Sequence, residues 1–69
     1  MAHTVREWRR IKEISQQTVA DAIGVHVNTY ARWEKDAADM PIRAGFILAQ
    51  LLGVSVDDII FDPTLQNVG

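Results

Sequence analysis

Twenty residues, Gln16 to Lys35 (QQTVADAIGVHVNTYARWEK), constrain this chain more than any other stretch, because their apolar spacing suits two short helices joined by a tight turn. With Gln16 as the first position, positions four, eight, ten, fifteen and eighteen hold Val19, Ile23, Val25, Tyr30 and Trp33. Residues three and four apart share one face of a helix, so each helix sends a single apolar stripe into a common core. Position five holds Ala20, small enough for the second helix to cross closely over the first. Position nine holds Gly24, which takes a positive φ without a Cβ clash.

The flanking sequence punctuates itself into five helices. Thr4 followed by Glu7 is a capping box, which predicts a first helix with Val5, Trp8 and Ile11 on its inner face. Ser15 caps a second helix running to Ile23, and His26 stands at the start of a third, about Val27 to Lys35. Histidine is a weaker cap than the Ser, Thr, Asn or Asp usual there. Residues 36–39 read as a loop, Met40-Pro41 opens a fourth helix, and Gly53 stops it after Leu52. Ser55 and Asp58 form another capping signature for a short fifth helix to about Phe61, which Pro63 keeps from extending. Residues 1–61 make one domain, residues 62–69 a loose tail at the end of a whole protein, and no strand pattern competes with the helical one.

At 69 residues the chain lies near the lower limit for a domain that folds alone. It has no cysteine, hence no disulfide, thiolate metal site or cysteine nucleophile, which suits the cytoplasm. Its apolar runs are too short to span a membrane, and no secretory segment opens it. Net charge is −2, but the two halves differ: residues 1–35 carry +2 and residues 36–69 carry −4. No nucleophile and base stand at useful spacing and no glycine loop could hold phosphate, so catalysis is rejected. Asp57 and Asp58 are first-turn acids that suit a helix dipole. His3 and His26 have no ligand companions, so neither a metal site nor a cofactor is expected.

From Val5 to Ile60 the chain resembles the Cro/repressor-type (XRE-like) helix-turn-helix family of phage repressors, Cro proteins and bacterial regulators. The resemblance rests on Ser15-Gln16-Gln17, Val19-Ala20, Ile23-Gly24-Val25, Arg32-Trp33-Glu34 and, downstream, Leu48-Ala49 and Leu52-Gly53-Val54-Ser55-Val56-Asp57. It implies an all-α, lambda-repressor-like fold of five helices whose third helix enters the DNA major groove. Two departures stand out. Asp36 replaces a helix-ending glycine and is expected in a left-handed conformation. Gly45 replaces a large apolar residue, with Phe46 expected to fill the volume, or else the gap admits another chain.

The same resemblance distributes roles over the motif. Val27, Asn28, Ala31 and Arg32 would face the bases: Arg32 a guanine, Asn28 an adenine, Val27 or Ala31 a thymine methyl. The competing role for Arg32 is a surface ion pair with Glu34 or Asp36. Gln16 and Gln17, at the start of the second helix, would position phosphate, with Thr29, Lys35, Arg43 and Arg10 as further contacts. His26 would add a phosphate contact when protonated, or is simply a partly exposed turn histidine. Arg6 and Arg9 read as the wet side of the first helix. The aromatic residues read as core, with Trp33 partly exposed. The expected protein is a cytoplasmic operator-binding regulator of a bacterial host, acting as a homodimer through Phe46, Ile47, Leu51, Ile60 and Phe61. The alternative is a phage antirepressor that docks the same surface on a repressor protein, which the acidic balance favours. An antitoxin would need a longer tail.

Overall fold

Four α-helices form where local capping and apolar spacing agree. The structure, a computed structural model, describes residues 2–61 of the chain; the expected tail, with Pro63, lies outside the described residues. The Thr4 hydroxyl accepts the Glu7 amide at 3.2 Å while the Glu7 carboxylate accepts the Thr4 amide at 2.8 Å, and α1 spans Val5–Ile11 behind them. Ser15 Oγ accepts the Thr18 amide at 3.1 Å and starts α2, Gln16–Ile23. Gly24 follows at φ 88°, a conformation that reverses the chain and that a side chain would resist. α3 spans Val27–Lys35, and α4 spans Ile42–Leu52 with Pro41 at its N-cap and Gly53 at its end.

The second half departs from expectation. The Ser55–Asp58 capping box forms, yet it starts a single 3-10 turn, Val56–Asp58, in place of a fifth helix. Next comes β2, Ile59–Ile60, which pairs in parallel with β1, His3–Thr4, so a short strand pair exists where none was expected. The cause is tertiary. Trp8 Nε1 donates to the Asp58 carbonyl at 2.7 Å, and that carbonyl is the one a continuing helix would offer four residues on. Two β-branched isoleucines then suit extended backbone, and Ile59 is buried in the core. Among the described residues the fold remains all-α apart from this pair, and no helix is long and apolar enough to cross a membrane.

Smaller corrections follow from packing. Asp36 takes φ −138°, not a left-handed conformation, because the chain passes straight from α3 into a 3-10 turn, Ala37–Asp39. Ile11 is 54% exposed. The i, i+3, i+6 spacing of Val5, Trp8 and Ile11 drifts by about 60° per step, which carries Ile11 off the buried face. Trp33 is buried at 8% exposure, since it and Tyr30 anchor the inner side of α3 on Val19, Ala20 and Leu48 of the same core. Phe61, not Phe46, fills the space beside Gly45: a Cβ there would lie 3.2 Å from Phe61 Cζ. Phe46 points outward instead.

Candidate nucleic-acid interface

The outer face of α3 follows from its inner one. With Tyr30 and Trp33 buried, Asn28, Arg32 and Lys35 fall at i, i+4 and i+7 on the opposite side, and all three are exposed. Ala31, half-buried, borders this stripe. Thr29 is half-buried on the flank. Val27 is half-buried and packs against the core, so less of it faces outward than expected.

A buried ion pair holds α3 in place. Arg9, expected on the wet side of α1, instead grips the Glu34 carboxylate with both Nε and Nη2, and its Nη1 donates to the Ile14 carbonyl at 2.9 Å. Gln16 Nε2 donates to the same carboxylate at 2.9 Å, so α1, α2 and α3 meet at Glu34, whose side chain is 2% exposed. Burial pushes the Glu34 carboxyl up, but the hydrogen bonds of Arg9 and Gln16 and the neighbouring Tyr30 hydroxyl outweigh it and hold the group below the usual carboxylate range. Hydrogen bonding to Glu34 in turn raises Arg9. Burial likewise raises the Tyr30 hydroxyl, which has no hydrogen bond of its own among the described residues.

This network changes two readings. Glu34 is turned inward, so it does not pair with Arg32. Among the described residues the ion pairs are His3 with Glu7 and Arg9 with Glu34, which leaves Arg32 and Lys35 without one. The Gln16 side chain spends its N–H groups on Glu34 and is a poor phosphate donor. Gln17 donates to Asp21 at 2.8 Å in an exposed bond, which a phosphate could replace at little cost. The sequence did carry a signal for the missed pair. Glu34 follows buried Tyr30 by one helical turn, and a carboxylate on a buried stripe requires a partner.

At the head of α3, His26 Nδ1 accepts the Asn28 amide at 3.0 Å, so histidine performs the cap directly. A neutral imidazole accepting at Nδ1 carries its proton on Nε2, a donor available to an anion. His26 is exposed, as are Arg10 on α1 and Arg43 in the first turn of α4. Residues 5–59 match a family model described as helix-turn-helix. Comparison with curated proteins and with solved structures returns no match.

Proposed function

Because the chain belongs to the Cro/repressor-type helix-turn-helix family and is a DNA-binding regulator by that membership, we propose that it is Cro-like, reading an operator with α3. The observation that carries this reading is the exposed stripe of Asn28, Arg32 and Lys35, which has no ion pair within the described domain and stands on a helix pinned from beneath by Arg9 and Glu34. Arg32 reaches O6 and N7 of a guanine and Asn28 an adenine, while Ala31 meets a thymine methyl. Lys35, Thr29, Arg43, Gln17 and the Nε2–H of His26 contact phosphate. Two copies place their third helices about 34 Å apart on a near-palindromic site and occlude RNA polymerase.

The second reading, an antirepressor docking the same helix on a repressor, is supported by the net charge of −2, which gives little long-range attraction to phosphate. Fluorescence anisotropy separates the two. Labelled duplexes tiling the DNA beside this protein's gene are titrated at low and rising salt. Saturable binding to one tile, weakened by about 1–3 kcal/mol in Arg32→Ala, supports operator reading. Equal or absent binding across all tiles at low salt refutes it and favours the protein partner.

A further inference from the structure

An apolar groove of about 320 Å³ opens between the 3-10 turn at Ala37–Asp39, the start of α4, and Phe61. Ala37, Ala38 and Gly45 keep it open, and no polar side chain lines it. A small ligand would lack the convergent polar groups that orient one in a pocket. An apolar protein side chain needs none. Beside the groove stand the two most exposed large apolar residues of the described chain, Ile42 at 80% and Phe46 at 55%. They lie one helical turn apart on the same side of α4, whereas Leu51 is rotated from Phe46 by about 140°.

We propose that this groove receives a second copy of the chain in a two-fold contact, Ile42 of each copy entering the groove of the other. The proposal rests on the operator reading for its purpose but not for its evidence. A two-fold interface must be self-complementary, with projection and recess in one patch. Here both occur within one turn of α4. The charges obey the same rule. Arg43, next to Ile42, is the sole cation of residues 36–69, and Asp39 lies across the groove mouth on the 3-10 turn. Both are exposed, and neither has an ion pair among the described residues. A two-fold axis pairs each Arg43 with the partner's Asp39, twice over. The acidic surplus of this half opposes approach in solution, so the free dimer is weak and is completed on DNA. The contact therefore centres on the first turns of α4, not on the Leu51 and Ile60 end that the sequence suggested.

Sedimentation equilibrium without DNA, from micromolar to near-millimolar protein, tests this. The wild-type mass should rise from monomer towards dimer. Ile42→Glu should raise the dimer dissociation constant about tenfold or more. Its thermal unfolding should be unchanged, since an exposed first-turn acid suits the dipole of α4. Arg43→Asp and Asp39→Arg should each weaken the dimer, and the double variant should recover it. A chain monomeric throughout, or a dimer that Ile42→Glu leaves intact, overturns the proposal. A double variant that fails to recover overturns the two-fold arrangement. The operator reading fails separately: a dimer weakened by Ile42→Glu that binds no DNA tile sinks that reading alone, and a strict monomer that binds one tile sinks only the groove.

Discussion

Replacing Arg9 by Met keeps an apolar stem in place and removes the guanidinium from Glu34. The carboxylate is left almost without solvent, with Gln16 as its one remaining hydrogen-bond donor among the described residues. Removing one partner of a fully buried pair costs about 3–5 kcal/mol. The Arg9 side chain keeps some contact with water and the carboxyl can escape by protonating, so about 2–3 kcal/mol is expected at pH 7. A domain of this size holds roughly 3–10 kcal/mol in total. The loss should lower the melting temperature by about 10–20 °C, and urea unfolding followed by tryptophan fluorescence would measure it. The pH dependence supplies a sharper signature. In the wild type the Glu34 carboxyl is held below its ordinary 4.5, so the stability it contributes is complete above that value and is lost as pH falls through the folded one. In Arg9→Met burial dominates and raises the group, so protonation then favours the fold. The gap between the two proteins should therefore narrow steadily in acid. Arg9→Met/Glu34→Leu should recover much of the loss. A loss below about 0.5 kcal/mol at pH 7, or a gap still full-sized at about pH 3.5, would refute this account of the pair.

Two further substitutions test packing. Gly45→Ala removes a mid-helix glycine, and its Cβ asks the half-buried Phe61 ring to move by a few tenths of an ångström. The helix gain of up to about 1 kcal/mol should exceed that cost, and thermal melts should show a small stabilisation, whereas Gly45→Leu should displace the ring and destabilise. Ala20→Leu should cost about 1–3 kcal/mol or abolish folding in urea titrations, because Ala20 is fully buried in the core between α2 and its neighbours.

Local chemistry made much of the first half readable. Thr4, Ser15 and Gly24 act on amides and dihedrals within a few residues of themselves, so the starts of α1 and α2 and the turn before α3 follow from the chain alone. The outer stripe of α3 was readable for the same reason: burying Tyr30 and Trp33 commits Asn28 and Arg32 to the opposite side. Val56–Phe61 failed where local and distant demands competed. The Ser55 cap asked for a helix, and the indole of Trp8, fifty residues away in sequence, took the carbonyl that helix required.

The sequence by itself therefore determined the helix-turn-helix, its caps and the direction in which α3 presents its side chains, because periodicity and capping are short-range. Only the tertiary structure decided which cation neutralises Glu34, which aromatic ring covers Gly45, and that Ile42 and Phe46 flank an open groove. Each depends on the position of one element relative to another, and an apolar or charged residue is satisfied equally well by any partner that packing happens to bring within reach.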